Sequence, residues 1–392
     1  MNDERAMILK MLQEGKISVD EANALLDVLN EPQPGEPGGF AKAEADPTRG
    51  AGTAGVHGDF DFAGLKDTLR ATMGSVRETM RGVSDSLRDA FEGFGGFDFV
   101  HEFGRAMGRA HADEERRLFA ETGPDGTLRI TNSWGDVRVT GTDSAAVAGT
   151  ARVTCWAADE ERAREKLAGV SVTLDRRDGE WVVESEPADR HSTRIDFELQ
   201  VPRALAVVVT TASGDLWLED LSGSQTVNTM SGDINVASLG SDCGAVQLVS
   251  SKSGDIIGAA LTGDVTLNTL SGDVSVNGFS GVLRVSTQSG DIGVRDGHGS
   301  VQLKTMSGDV RAALLSIGAE DVALSSVSGD VDLTVPTDAA FDLEARSTSG
   351  DVRAESELED AVRSGRRLQG RRNGGGVSVT VTSVSGDIIV RD

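Results

Sequence analysis

Hydrophobic and polar positions along this chain change period several times, and each change marks a different element. In residues 3–31, Ile8, Leu9 and Leu12, then Ala22, Leu25, Leu26 and Leu29, recur at the spacing of one helix face. Gly15 ends the first helix, and Ser18 with Glu21 three residues on forms a capping box that opens the second. Two helices this short bury too little to persist alone. The hairpin at 1–31 is therefore expected to dock on the chain, on a copy of itself or on another protein. Residues 32–58 set Pro32, Pro34, Pro37 and Pro47 among Gly, Ala and acids, and read as a disordered linker. Residues 59–119 read as an amphipathic helical region. There Leu69, Met73, Val76, Met80, Val83, Leu87, Ala90 and Phe94 step by four and three as a heptad seam, and a further helix is expected over about 100–119.

From about residue 120 the period falls to two. Leu128 and Ile130, then Val137 and Val139, alternate around Trp134-Gly135-Asp136. Residues 159–167, rich in Glu, Arg and Ala, predict one short helix, and strands are expected over 170–174, 181–184 and 195–201. The segment 120–205 is expected to cap the repeats that follow.

Beyond residue 207 the chain repeats itself, which outweighs every other signal. Ser-Gly-Asp occurs nine times, most often 18 residues apart. Its glycine and aspartate fall at Gly214-Asp215, Gly232-Asp233, Gly254-Asp255, Gly272-Asp273 and Gly290-Asp291, then at Gly308-Asp309, Gly329-Asp330, Gly350-Asp351 and Gly386-Asp387. The interval of 36 residues from Asp351 to Asp387 reads as two coils with one motif lost. Val227, Thr229 and Ser231 share one face of a strand, Gly232 bends the chain, and Ile234 and Val236 restart the inward face. A weaker glycine corner follows about nine residues on, as at Gly263 or Gly281, so each coil is expected to hold two strands and two corners. One coil cannot bury its own apolar face, but a stack of coils can. The fold class is therefore mainly β: a parallel β-solenoid of about nine coils over 120–392, cap included, preceded by an α-helical region. Ile234, Val274, Ile292, Val310 and Val331 should stack inside it.

Stacked in register, the repeat aspartates would lie about 5 Å apart and repel unless something relieves them. The structural expectation is that each carboxylate caps its own turn through backbone N–H groups. The functional alternative is a cation-binding edge.

The Ser-Gly-Asp-Ile/Val repeats resemble the bacterial putative-adhesin family of β-strand-repeat domains, over about residues 125–392. The stretch Leu12-Gln13-Glu14-Gly15-Lys16-Ile17-Ser18-Val19-Asp20-Glu21-Ala22 is similar to the SHOCT-like helical hairpin that precedes such domains in some envelope-stress proteins. The resemblance implies a non-catalytic β-solenoid linked to the cell envelope, and it carries over no catalytic residue.

Composition and chemistry narrow the function further. Aromatics make up 4% of the chain, Tyr is missing, and Gly reaches 48 residues, which suits short strands and tight turns better than one large core. The net charge of −25 makes nucleic acid a poor partner. The hairpin sets Arg5, Lys10 and Lys16 against seven acids, which argues against a DNA-binding helix-turn-helix. Cys155 and Cys243 form no spacing motif, and His57, His101, His111, His191 and His298 are scattered, so neither a metal site nor a cofactor is expected. No Walker loop, dinucleotide fingerprint or nucleophile elbow is present, and a polysaccharide-cleaving β-helix would want aromatic platforms.

These readings predict a non-catalytic scaffold or binding protein of the cell envelope or its stress response, without a small-molecule substrate. The alternatives are an adhesin-like surface protein and, third, a polysaccharide-active enzyme. The first residues carry no apolar run of signal-peptide length, which gives the cytoplasm as the expected location, with membrane-peripheral and surface placement left open. The expected partner is a protein or a second copy, through the helical N-terminal region. Two stretches are candidates for partner or peripheral membrane contact. One is the apolar set Phe91, Phe94, Phe97, Phe99 and Phe103; the other is the basic cluster of Arg363, Arg366, Arg367, Arg371 and Arg372, expected on a solvated loop.

Overall fold

The computed structural model describes residues 110–392, apart from 124, 187–191, 241–246 and 356. The hairpin, the linker, the heptad seam and the phenylalanine set thus lie outside the described residues.

The alternating segments form two walls of a parallel solenoid. The wide wall stacks Thr127–Trp134, Ala206–Ser213, Gln225–Ser231 and Gln247–Ser253, then residues 265–271, 283–289 and 301–307, then Val322–Ser328, in register. The narrow wall stacks Val137–Thr142, Leu216–Glu219, Ile234–Ala237 and the strands that follow each later corner. Ile234, Val274, Ile292, Val310 and Val331 are all buried, one above another, as the repeat predicts. The middle coils turn three times, where the repeat predicted two corners. After each narrow strand the chain enters the left-handed region at Asp220, Ser238, Ala260, Gly278 and Asp296. A third turn follows at Gly240, Gly263, Gly281 or Gly299. The short side between these turns adds an inward column of Leu221, Leu239, Leu261 and Phe279.

Both ends depart from the order expected. Trp134-Gly135-Asp136, expected in the cap, belongs to the solenoid: its Gly135 lies directly beneath Gly214, so residues 127–142 are the first coil. The 60-odd residues that follow form the cap: Thr193–Pro202 pairs with Val137–Thr142, and Glu180–Glu186 pairs with Thr127–Trp134. The cap also holds the single described helix α1, Glu160–Ala168, whose Asp159 side chain accepts from the Arg162 N–H and whose Ala163 and Leu167 are buried. Residues 110–119 are not helical. They belong to the strand Ala110–Glu121, which pairs antiparallel along its whole length with Ala146–Ala157. An Ala/Glu/Arg-rich segment favours a helix only weakly, and a twelve-residue ladder that buries Leu118 and Ala120 overrides it.

At the far end, the interval from Asp351 to Asp387 holds no lost coil. The coil at 341–354 is the last in space, and the chain leaves it through an antiparallel hairpin, Glu359–Ser364 with Arg367–Arg372. It then returns to insert its final coil, Val377–Ser385 and Ile388–Arg391, between the coils at 322–334 and 341–354.

Candidate binding surfaces

The repeat corner explains its own composition. Each corner glycine has φ between +130° and +156° from Gly135 to Gly329 and at Gly386. The carbonyl of the glycine in the coil below points at it: a Cβ on Gly272 would lie 2.1 Å from Gly254 O. That carbonyl accepts from a hydroxyl inside the solenoid. Thr269 donates to Gly254 O at 3.3 Å, Thr305 to Gly290 O at 3.1 Å, and Ser326 to Gly308 O at 2.9 Å. In the first coil Asn132 takes this place, donating to Gly135 O and Ile195 O.

The aspartates complete the arrangement, though not as expected. Each carboxylate except that of Asp351, the last in space, accepts the backbone N–H of the aspartate in the next coil, not of its own turn. Asp233, Asp255, Asp273, Asp291 and Asp309 donate in turn to Asp215, Asp233, Asp255, Asp273 and Asp291, at 2.8–2.9 Å. The series continues through Asp330, Asp387 and Asp351, in the spatial order of the coils. At the other end Asp215 N–H reaches Asp136, and Asp136 N–H reaches Asp196 on the cap. One oxygen of every carboxylate but that of Asp351 is thereby engaged in the fold. Arginine meets the column at both ends and once within it: Arg194 bridges Asp136 and Asp196, Arg353 pairs with Asp351 at 3.2 Å, and Arg311 pairs with Asp309 at 2.6 Å. Among the described residues no group of three or more His, Cys, Asp or Glu converges as a metal site.

The outer face of the narrow wall offers a different surface. One of its outward columns takes one position per coil at Trp217, Asn235, Ile257, Ser275, Gly293 and Arg311. Arg138 stacks over the Trp217 ring at 5.0 Å, and Ile257 is 49% exposed. At Gly293 the row loses its side chain, and a Cβ there would meet nothing within 4 Å. The gap opens a groove of about 300 Å³ bordered by Asp291, Arg295, Arg311 and Asp332. Nothing in the repeat consensus marked this groove. The signal was a glycine at an outward strand position, where no turn requires one.

The arginine cluster lies on the C-terminal hairpin, four of its members on the strands and Arg366 at the turn, and its charges have partners on the hairpin and the neighbouring coils. Arg367 pairs with Glu344 at 2.9 Å, Arg372 with Asp392 at 2.5 Å, and Arg371 with Asp360. The hydrogen bond to Asp360 and its charge hold the Arg371 guanidinium above its ordinary pKa. Arg363 and Arg366 donate to the carbonyls of Val352 and Thr348. The cluster thus ties the hairpin to the last coil.

The family described as Toastrack DUF4097 matches residues 127–391, and a SHOCT-like domain matches residues 3–33. No curated protein matches the chain. Among solved structures, a putative adhesin from Bacteroides fragilis is 11% identical, with 71% of this chain and 97% of that one covered and a TM-score of 0.34. A putative adhesin from Parabacteroides merdae is 12% identical over 71% and 96%, with a TM-score of 0.28. A putative cell adhesion protein from Clostridium sporogenes is 9% identical over 71% and 99%, with a TM-score of 0.22.

Proposed function

This chain belongs to the Toastrack DUF4097 family, and on that premise we propose that it is a non-catalytic, adhesin-like binding rod of the cell envelope. The observation that carries the reading is the narrow wall. Its outward row presents one side chain about every 4.8 Å along a backbone fixed by continuous hydrogen bonding. It holds exposed Ile257, the Trp217–Arg138 stack and the groove at Gly293 in one line. A regular row of apolar, aromatic and paired charged groups suits an extended macromolecular partner laid along the wall. The corner aspartates are a structural column in this reading, since all but the terminal Asp351 accept an N–H from the neighbouring coil.

A second reading is a scaffold inside the envelope that relays stress through its N-terminal hairpin. The observation favouring it is the SHOCT-like match at 3–33. Protease added to intact cells separates the two. The adhesin-like reading predicts loss of the full-length chain without lysis; a chain cleaved only after lysis would leave the internal scaffold.

A further inference from the structure

The outer face of the wide wall carries a strip of buried outward positions, flanked by half-buried ones, that none of the described elements covers; we call this strip the trough. Its floor is the column Thr210, Asn228, Ser250 and Asn268, one residue per coil, all pointing away from the solenoid core. Outward positions on a bare sheet face water, yet these four are buried: Ser250 is 0% and Asn268 3% exposed. Ser250 Oγ and Asn268 Nδ2 are buried without a hydrogen-bond partner, which is costly unless something polar reaches them. Among the described elements, these strands pack only on neighbouring strands of the solenoid. In the next coil the same column passes to Ser286, which is half-buried, so the covered stretch has a definite end.

The trough has the dimensions of a helix. Its rims, two residues to either side of the floor, include Val208 and Leu248 on one flank and Met230 and Leu270 on the other, all half-buried. Rims four residues apart along a strand stand about 13 Å from each other, which admits a helix about 10 Å across. Four coils at about 4.8 Å each give a length of roughly three helical turns. A helix set here would bring apolar side chains to Val208, Leu248, Met230 and Leu270 and a polar one to Ser250 and Asn268, between rims that also carry Thr226, Thr266 and Lys252.

We propose that the occupant is this chain's own heptad seam, within residues 69–94, lying along the wide wall. The seam is long enough, at about 39 Å if helical, to run the trough's length. It carries one continuous apolar stripe from Leu69 to Phe94. It also lies only 16 residues before Ala110, where the described chain begins, so tethering raises its effective concentration at the trough. This inference is independent of the binding role of the narrow wall.

The test is photo-cross-linking in the full-length protein with Leu248→p-benzoylphenylalanine at the rim. An equal mixture of isotopically light and heavy copies distinguishes a contact within one chain from a contact between two. The expected result is a cross-link to residues 69–94 with more than about nine-tenths of it within one chain, and at least a tenfold loss of yield in Asn268→Arg. Met80→Asp, which changes no described residue, should give the same loss with the β signature in circular dichroism unchanged. A cross-link chiefly between light and heavy copies would assign the trough to a second molecule and overturn the proposal. So would capture outside 69–94, no capture, or a yield indifferent to Met80→Asp.

Discussion

At the scale of single residues, the corner motif is a solution to one steric problem. Two coils approach so closely at the corner that the carbonyl of one glycine occupies the Cβ position of the next, and φ lies where L side chains are strained. Gly272→Ala should therefore cost about 3 kcal/mol or more, from strain and overpacking together, read from chemical denaturation. A cost below about 1 kcal/mol would mean that the corners do not stack as described. The aspartate makes a different prediction. Asp255→Ala removes the acceptor of the Asp273 N–H, at 2.8 Å, and should cost about 1–2 kcal/mol. Asp255→Asn keeps an acceptor and removes one charge from a column of like charges, so it should stay within about 0.5 kcal/mol of the parent, with a weaker dependence on salt. Equal destabilisation by both would point to the charge itself as the essential feature. The glycine's role was legible in the sequence, because nine copies, most often 18 residues apart, leave little else for Ser-Gly-Asp to be. The carboxylate's partner was not legible: whether it turns back on its own loop or reaches the next coil depends on a spacing that only stacking sets.

At the scale of elements, the sequence shows which segments are strands better than it shows who their neighbours are. The inward valines and isoleucines were readable by alternation alone. The first coil is masked in the sequence because Trp134 stands where the repeat has serine, and because some 60 residues of cap separate it from the second coil. Its signal was present all the same, in Gly135-Asp136 followed by Val137 and Val139. The strand at 110–121 was hidden by a helix-like composition, since its ladder partner lies about 25 residues or more away in sequence. The final coil is the deepest departure, because strand order in space reverses strand order in the chain. Val377–Ser385 pairs on one side with Val322–Ser328 and on the other with Phe341–Ser347. Deleting residues 377–392 should therefore do more than shorten the rod. It leaves two internal strand edges facing a gap, and light scattering should show aggregation where the parent is dispersed. A dispersed product with unchanged thermal stability would contradict the insertion.

At the scale of the whole molecule, the solenoid converts a repeated local rule into long, ordered outer faces. The corner aspartates, abundant and exposed, invited a reading as a cation edge, yet all but Asp351 have an oxygen engaged by the fold. The arginine cluster, conspicuous in sequence, is paired with its own hairpin and last coil. The groove at Gly293 and the buried column on the wide wall are not legible in sequence, because each depends on what four coils place side by side. The central claim is that the narrow wall is the binding surface, and co-sedimentation of the full-length protein with purified cell-envelope fragments tests it most directly. Gly293→Trp fills the groove at a position with free space, and Ile257→Asp places a charge in the exposed row; both lie outside the core. The account predicts that the parent sediments with the fragments, that each variant binds at least about tenfold more weakly, and that both keep the parent's thermal stability within a few degrees. Undiminished binding by both variants, or no binding by the parent, would contradict it.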